Sequence, residues 1–311
     1  MRDEHYRAAV AALIDPLLWS DAGGGDLTVE ARGLMEGRAK AQVLAKEAGI
    51  AAGIEEFAWL LGRGDLTVKA LTRDGQAFEC GEVLAEVEGG RASMLSCERT
   101  ALNLLQRMSG IATGTRRLQE RVDRVNLERF PDRAASTART RVVATRKTPW
   151  GLLDKRAVHL GGGGTHRLSL SDAILIKNNH LALLGLPEQD AVAAAIGQAW
   201  SQRRDAAFVE IEVRSADAAV AAARAFQGVR GGEAESCPCL LLLDNMSAEQ
   251  ARETMEALQR EQLREEVVVE VSGAINESNL DEYASCGADA LSMGALTHSP
   301  RALDLHLKIC S

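Results

Sequence analysis

Cysteine is scarce in this chain, and long apolar runs are absent. The 311 residues include six cysteines and no CxxC pair with a matching second half. This argues against a disulfide framework or a structural zinc site and favours buried or incidental thiols. No stretch approaches the roughly 18 consecutive apolar residues that a membrane-spanning helix requires. We therefore expect no membrane segment.

The N-terminus lacks the features of a secretory signal. Arg2, Asp3, Glu4 and Arg7 precede a short amphipathic run that has neither an uncharged core nor a small-residue cleavage site. We therefore expect a cytoplasmic protein. Its 311 residues exceed the usual size of one domain and favour two domains, or one barrel with an appendage.

Positive charge is concentrated in one segment of an acidic protein. The formal net charge is −8, yet residues 139–167 contain seven Lys or Arg side chains against one acid, Asp154. A basic segment within an acidic molecule suits the capture of a small, highly charged anion in a pocket. Because a nucleic-acid groove needs a broader basic face, we expect no nucleic-acid partner.

The first hundred residues combine helical and strand patterns. Apolar side chains at helical spacing predict an N-terminal helix that contains Tyr6, Val10, Ile14, Leu17 and Leu18. The other predicted elements are a strand over 39–45, a helix over 54–61, two hairpin strands over 66–71 and 77–87 around Asp74-Gly75, and a long helix from Ala92 to about Val122. Helices with a small antiparallel sheet predict an α+β, sandwich-like N-terminal domain over residues 1–115.

Strand and helix patterns alternate in the rest of the chain. Apolar, β-rich runs begin near Val142, Ile174, Phe208, Leu240, Val267 and Ala290. These starts are separated by 32, 34, 32, 27 and 23 residues, a period of βα units that predicts a parallel sheet with helices outside. Six strands fall short of a closed (β/α)₈ barrel of roughly 250 residues, so we expect an open, incomplete α/β barrel over residues 116–295. Residues 296–311 are expected to form a helical segment that packs back on the N-terminal domain.

Polar residues follow most of these strands at their carboxyl ends, where barrels of this kind carry out their chemistry. The polar strand ends are Thr145-Arg146-Lys147, Lys177-Asn178-Asn179-His180, Asp244-Asn245, Glu270-Val271-Ser272-Gly273 and Gly294. Within the strand 208–213, Glu210 and Glu212 share one face, which points into the barrel if the apolar face meets the helices. Glu210 suits a structural ion-pair layer. Glu212 with Asp244 suits a site for Mg²⁺ held largely through water and a ligand phosphate.

Glycines and histidines mark further candidate binding segments. Gly161 to Gly164 lead into Thr165-His166-Arg167, and glycines let the backbone approach an anion or a planar ring closely. We therefore expect His166 to bind a ligand, leave the role of His180 open, and regard His159 as structural. Two pairs at later strand ends resemble the loops that hold a phosphate in many barrels, namely Ser272-Gly273 and Gly294-Ala295.

An ordered set of motifs runs along nearly the whole chain. The motifs are Glu98-Arg99-Thr100-Ala101-Leu102-Asn103, Ser109-Gly110-Ile111-Ala112-Thr113, Thr145-Arg146-Lys147-Thr148, Gly161-Gly162-Gly163 with His166-Arg167, Leu175-Ile176-Lys177 with Asn179-His180, Glu210-Ile211-Glu212-Val213, Leu243-Asp244-Asn245, Ser272-Gly273 and Gly294-Ala295-Leu296-Thr297-His298-Ser299. Together they resemble the quinolinate phosphoribosyltransferase family, also called nicotinate-nucleotide pyrophosphorylases (carboxylating). The resemblance implies an N-terminal α/β sandwich joined to an open α/β barrel of seven strands, with the active site completed across a homodimer.

The resemblance also implies a reaction and a set of site residues. The family converts quinolinate and phosphoribosyl pyrophosphate, with Mg²⁺, to nicotinate mononucleotide, pyrophosphate and CO2 in de novo NAD biosynthesis. By position, the quinolinate-binding residues are Arg146, His166, Arg167 and Lys177, with Arg99 reaching in from the partner subunit. The residues that act at the ribose and pyrophosphate are Lys147, Glu212 and Asp244. The residues that hold the 5′-phosphate are Ser272, Gly273 and Gly294.

Three features depart from the family pattern. Residues 149–153, Pro-Trp-Gly-Leu-Leu, stand where Pro-Gly-Leu-Arg is usual, and the connection to the glycine run is about two residues shorter. Thr165 stands where Asn is usual before the His-Arg pair, and Asn178 where an acid often follows the Lys. None of these differences removes a residue assigned to chemistry.

Other functions stay open at this point. A paralogue of the kind associated with molybdenum transport genes would act on a different acceptor, but it is expected to lack the full TRK, HR and LIK-NH set. A barrel aldolase would use Lys177 as a Schiff-base nucleophile, which borohydride would trap. A non-catalytic sensor of phosphoribosylated metabolites would release no pyrophosphate, and intact Lys147, Glu212 and Asp244 argue against it. Assembly beyond a dimer is also open.

Overall fold

The chain forms two compact units. The computed structural model describes residues 3–31, 36–131, 139–231 and 237–310. The first unit comprises Met1–Arg117, Lys147–Gly163 and Leu296–Ser311, and the second, the barrel unit, comprises Leu118–Arg146 and Gly164–Ala295. Residues 147–163 therefore lie in the first unit, although the sequence assigned them to the barrel range 116–295.

Buried charges explain the placement of this inserted segment. Its helix, Leu152–Leu160, carries Asp154, which is completely buried and accepts hydrogen bonds from Arg107 at 2.9 and 2.8 Å. Nε of Arg156 lies 2.9 Å from Oε1 of the buried Glu56. Because charged groups buried to this extent need partners, these contacts hold the helix within the first unit.

A four-stranded antiparallel sheet forms the framework of the first unit. The strands in sheet order are Leu305–Cys310, Arg38–Ala45, Val83–Gly90 and Thr67–Ala70. Ala41, Val43 and Ala45 are buried in alternation with more accessible neighbours, which confirms the predicted strand over 39–45. The helices of this unit include Asp3–Ala22, Leu27–Glu30 and Ile54–Gly62, and the long helix Arg91–Arg129 begins in it and extends past the predicted end near Val122.

The predicted hairpin around Asp74-Gly75 is interrupted. The run 77–87 separates into Ala77–Phe78, which pairs with Gly49–Ile50, and Val83–Gly90, which pairs with Thr67–Ala70. Gly81 lies between the two strands with a φ of +86°, a conformation that breaks an extended strand. The break lets one run contribute strands to two separate sheets.

The C-terminal residues 296–311 do not form the predicted helical segment. A short helix, Ala295–His298, is followed by the strand Leu305–Cys310, which pairs antiparallel with Arg38–Ala45. Apolar and polar side chains alternate within this strand (LHLKIC), and a period of two is typical of a strand and not of a helix. The helical prediction is therefore wrong for this strand.

A six-stranded parallel sheet forms the barrel unit, and its strands begin where the sequence predicted them. The strands in sheet order are Arg141–Val143, Ala290–Ser292, Val268–Ser272, Cys239–Asp244, Val209–Val213 and Ile174–Ile176. The strands 141–143 and 174–176 occupy opposite edges of the sheet, so the sheet is open, which confirms the predicted open barrel. A parallel bridge between Val143 and Gly164 extends one edge by a single residue. Among the described residues the sheet thus has six strands, whereas the family resemblance implied seven.

Helices follow the strands and cover the apolar face of the sheet. The helices of this unit are Asn178–Ala182, Glu188–Ser201, Ala216–Arg230, Ala248–Arg260 and Leu280–Ala284. Ser215 and Ser247 cap two of them by accepting hydrogen bonds from the backbone N–H groups of Ala218 and Gln250 at 3.1 and 3.2 Å. In the part of the chain that the structure describes, no helix combines the length and the apolar character needed to cross a membrane.

Alternation along the strand Val209–Val213 positions two carboxylates in the barrel interior. Val209, Ile211 and Val213 are at most 1% exposed. The opposite face of the strand carries Glu210 and Glu212, as a period of two requires. The prediction that both carboxylates share the interior face is confirmed by their contacts, described below.

Candidate active site

The carboxyl ends of the barrel strands collect most of the residues nominated from the sequence. His166 and Arg167 follow the bridge residue Gly164, and Lys177 follows the strand Ile174–Ile176. The nominated residues in the barrel unit are Arg146, His166, Arg167, Lys177, Glu212, Asp244, Ser272, Gly273 and Gly294, whereas Arg99 and Lys147 belong to the first unit.

His166 is committed to a buried hydrogen-bonded cluster. Its Nε2 lies 2.8 Å from Oε2 of Glu210 and 3.7 Å from Oε2 of Glu270. Its Nδ1 accepts the backbone N–H of Arg167 at 2.7 Å. Because Nδ1 acts as an acceptor, the ring proton of the neutral imidazole resides on Nε2 and is donated to Oε2 of Glu210. The prediction that His166 contacts a ligand stays a prediction, since both ring nitrogens already bond within the protein.

The same three residues have the spacing of a metal site but not its chemistry. Ligand-type atoms of His166, Glu210 and Glu270 lie within 4.8 Å of one another. A metal would require a lone pair on Nε2, and the tautomer set by Arg167 places a proton there. The geometry therefore favours a hydrogen-bonded cluster over a metal centre at this position.

Glu210 is a fully buried carboxyl with a shifted pKa. Burial raises its pKa from 4.5 to about 8, and the positive charges of Arg167 and Lys177 oppose this shift only in part. Among the residues that the structure describes, none offers a hydrogen bond to Oε1 of Glu210. The sequence predicted a structural ion-pair layer at Glu210. In the structure this carboxyl pairs with His166 through its Oε2 atom.

Arg167 is a buried guanidinium beside a second cation. The residue is 5% exposed, and Nη1 donates to the carbonyl of Ala173 at 3.3 Å. No acceptor within the described ranges is bonded to its Nε. Burial, followed by the nearby charge of Arg146, lowers the pKa of Arg167, and Arg146 itself is exposed. An anion bound here would satisfy the buried donor and relieve the repulsion between the two cations.

Glu212 and Asp244 lie close together because one amide bridges them. The side-chain amide of Asn178 donates to Oε2 of Glu212 at 3.5 Å and to Oδ2 of Asp244 at 3.4 Å. Nζ of Lys177 lies 3.5 Å from Oε1 of Glu212, and Nη2 of Arg214 lies 2.8 Å from Oδ2 of Asp244. Each carboxylate therefore has one cation beside it.

Three residues of this region were not assigned to chemistry from the sequence. Arg214 directly follows the strand Val209–Val213, so the rule that strand ends carry function points to it. Asn178 was noted among the polar residues after its strand and as a departure from the family, without a role, yet its amide donates to two carboxylates where an acid would add negative charge. Glu270 was noted at a polar strand end but given no role, because its approach to His166 depends on the order of strands in the sheet.

The predicted phosphate-binding segments end neighbouring strands. Ser272 pairs with Ser292 across the sheet, and Gly294 follows Ser292 by two positions. Gly273 has a φ of +104°, and a Cβ atom there would lie 2.8 Å from Cα of Asn245. Only glycine fits this turn.

The other nominated residues lie on helices or in the first unit. Arg99 is exposed on the helix Arg91–Arg129, and Lys147 is exposed while its carbonyl accepts a hydrogen bond from Oγ1 of Thr297 at 2.9 Å. Nδ1 of His180 accepts the backbone N–H of Lys177 at 2.9 Å and so caps a helix. His159 is exposed on the helix Leu152–Leu160.

The fold and the strand-end chemistry together define an enzyme of the open α/β-barrel class that acts on small anionic substrates. Family models described as "Quinolinate phosphoribosyl transferase, N-terminal domain" and "Quinolinate phosphoribosyl transferase, C-terminal domain" match residues 26–109 and 111–308. The chain therefore belongs to the quinolinate phosphoribosyltransferase family.

Individual relatives match along nearly their whole length. A probable nicotinate-nucleotide pyrophosphorylase (carboxylating) of Methanothermobacter thermautotrophicus is 38% identical, over 96% of this chain and 98% of that protein. The structure of NadC from Streptococcus pyogenes aligns with a TM-score of 0.76 at 31% identity and covers 97% of each chain. The nicotinate-nucleotide pyrophosphorylase of Francisella tularensis aligns with a TM-score of 0.77 at 28% identity, over 97% of this chain and 96% of that one.

Proposed function

We propose that this protein transfers the phosphoribosyl group of phosphoribosyl pyrophosphate to quinolinate and releases pyrophosphate and CO2. The product is nicotinate mononucleotide, and the reaction belongs to de novo NAD biosynthesis. The observation that carries the proposal is the buried Arg167, whose Nε lacks an acceptor within the described residues and which lies beside a second cation, Arg146. A dianionic acid is the ligand that such a pair recognises best.

Recognition of quinolinate rests on its two carboxylates, which occupy adjacent ring carbons. Arg146 and Arg167 offer planar forks that suit bidentate contact with carboxylates, and Lys177 adds a point charge. His166 holds the backbone of Arg167 through its Nδ1. These groups orient the ring nitrogen toward the sugar, and orientation of this kind supplies a large part of the rate enhancement in two-substrate reactions.

Transfer proceeds through a transition state in which positive charge develops on the ribose. The ring nitrogen attacks the anomeric carbon, and the bond to pyrophosphate breaks. Glu212 and Asp244 stabilise the developing positive charge, and Lys147 neutralises the departing pyrophosphate. The nitrogen then carries a positive charge, which draws electrons from the neighbouring carbon, so that the adjacent carboxylate leaves as CO2 and a proton takes its place.

Magnesium fits the carboxylate pair at the end of the barrel. Glu212 and Asp244 present hard oxygen atoms of the kind that Mg²⁺ prefers. Because Lys177 and Arg214 already accompany these oxygens, the pair suits an ion held through water and substrate phosphate more than direct coordination. When bound, Mg²⁺ supplies charge neutralisation at the pyrophosphate.

Assembly and location complete the proposal. We propose a homodimer in which Arg99 of each subunit reaches the quinolinate of its partner, which the exposed position of Arg99 on its helix supports. Ser272, Gly273 and Gly294 hold the 5′-phosphate. A cytoplasmic location and the lack of a nucleic-acid partner, both expected from the sequence, stay predictions.

A substrate assay tests the proposed reaction. The purified protein with quinolinate, phosphoribosyl pyrophosphate and Mg²⁺ should form nicotinate mononucleotide, pyrophosphate and CO2 in equal amounts. Nicotinate in place of quinolinate serves as the comparison acceptor, and borohydride should trap no adduct on Lys177. Faster turnover with nicotinate than with quinolinate would contradict the proposal.

A further inference from the structure

The loop that carries Lys147 is held by a network of polar groups within the first unit. Oγ1 of Thr297 donates to the carbonyl of Lys147 at 2.9 Å. Oγ1 of Thr148 donates to Oδ2 of Asp154 at 2.5 Å and accepts two backbone N–H groups of the loop at 3.2 and 3.0 Å. The main chain is therefore fixed both at Lys147 and at the residue that follows it.

Arg107 joins the two ends of this network. Its Nε and Nη2 donate to the carboxylate of Asp154 at 2.9 and 2.8 Å, and Nη2 also donates to the carbonyl of Thr297 at 2.8 Å. Its guanidinium carbon lies 5.2 Å from the ring centroid of Trp150. Asp154 is completely buried, so its charge depends on this bidentate pair. Arg107 thus contacts both residues that hold the loop, namely Asp154, which binds Thr148, and Thr297, which binds the carbonyl of Lys147.

Trp150 adds a further contact between the network and the loop. It lies in residues 149–153, the segment in which the resemblance implied a departure from the family pattern. A guanidinium over an indole ring is a favourable contact, and more so when it is partly shielded from water. Trp150 is half-buried, and Arg107 therefore holds this loop through the ring as well as through the hydrogen bonds.

We propose that Arg107 is a positioning residue of the transfer reaction and that it acts through Lys147. The inference rests on the proposed function, which assigns Lys147 to the departing pyrophosphate. Arg107 does not need to touch substrate for this task, since its donors bond to Asp154 and Thr297. A displacement of about 1 Å at a catalytic group can lower a rate by about 100-fold, so the loss of Arg107 should reduce kcat.

Two conservative variants test the effect on the rate. Arg107→Lys keeps the charge but loses the paired donation, and we expect kcat to fall about 10- to 100-fold while the KM for quinolinate stays within about two-fold. Thr297→Val, which has nearly the same shape, removes the hydroxyl bonded to Lys147 and should lower kcat by less. Arg63→Lys is the matched control, because it breaks an exposed pair with Asp15 of 2.9 and 3.5 Å and should leave kcat unchanged.

The decisive measurement repeats Arg107→Lys in a Lys147→Ala background. There the change in kcat should shrink to less than about two-fold, because the group being positioned is gone. An equal loss in both backgrounds overturns the proposal. A loss in kcat that is fully explained by the fraction of unfolded protein, as measured by thermal unfolding, also overturns it. Wild-type protein that releases no pyrophosphate from quinolinate and phosphoribosyl pyrophosphate would refute the proposed function instead.

Discussion

Among single residues, Arg167 should separate the two substrates most clearly. Arg167→Ala removes a buried donor that a carboxylate of quinolinate would satisfy, and a charged hydrogen bond of this kind contributes about 1.5–3 kcal/mol. We expect the KM for quinolinate to rise by at least about 10-fold and the KM for phosphoribosyl pyrophosphate to change little, as measured by steady-state kinetics. Arg203→Ala is the control, since Arg203 stacks on Trp200 at 4.1 Å. A change confined to the second substrate would contradict the assignment of Arg167.

Glu210 should make the stability of the protein decrease with rising pH. Because burial raises its pKa from 4.5 to about 8, the folded protein holds a proton in this window that the unfolded chain has released. The free energy of unfolding therefore falls between these two values, by at most about 1.4 kcal/mol per pH unit for one proton. We expect Glu210→Gln to flatten this slope in urea unfolding at several pH values. The control Glu88→Gln, at an exposed carboxyl, should leave the slope unchanged. A slope in Glu210→Gln equal to that of the wild-type protein would argue against a buried titrating carboxyl.

Sequence reasoning identified residues that follow strands but not the partners they meet across the sheet. Glu212 and Asp244 were predicted to act together, and the structure joins them through Asn178. The contact of Glu270 with His166 spans strands that are far apart in the chain, and local patterns do not specify which strands become neighbours. The engagement of both nitrogens of His166 was likewise not visible from its neighbours in the sequence.

At the scale of elements, the turn after the strand Val268–Ser272 should be the most sensitive to an added methyl group. Gly273→Ala places a Cβ atom 2.8 Å from Cα of Asn245 in a backbone with φ of +104°, so the turn must distort. We expect the KM for phosphoribosyl pyrophosphate to rise and the thermal midpoint to fall.

The matched control for this turn is a glycine inside a helix. Gly197→Ala lies within Glu188–Ser201, where a Cβ atom meets nothing within 4 Å. Alanine there should stabilise the protein by up to about 1 kcal/mol and leave both KM values unchanged. Equal effects of the two substitutions would show that the turn has no special role.

Strong periodic patterns predicted the elements well, and competing pairings account for the errors. All six parallel strands were predicted, because βα units repeat a pattern that each unit satisfies locally. The run 77–87 was misread as one strand because its two halves pair in different sheets. The strand Leu305–Cys310 was misread as helical although its residues alternate, and its partner Arg38–Ala45 lies at the far end of the chain.

For the whole molecule, mixing two defective variants tests the proposed dimer. If Arg99 serves the site of the partner, Arg99→Ala and Arg167→Ala should each be impaired alone and should recover activity when unfolded and refolded together, because a mixed dimer contains one complete site. Arg99→Ala mixed with the double variant Arg99→Ala/Arg167→Ala is the control and should stay impaired. Mixed variants that form dimers yet gain no activity would place Arg99 in the site of its own subunit.

The contact of Gly164 with the edge of the sheet bears on how enzymes of this kind can be re-engineered. In a closed ring of strands, deleting residues from a connection can force every later strand out of alignment. Here the polypeptide from Ala144 returns to the sheet through one backbone bridge, so a length change of two residues alters mainly closure entropy, by less than about 1 kcal/mol. The unclosed edge thus lets the six parallel strands keep their registers when this connection changes in length, whereas the contacts of Asp154 and Lys147 within it restrict which loops can replace it.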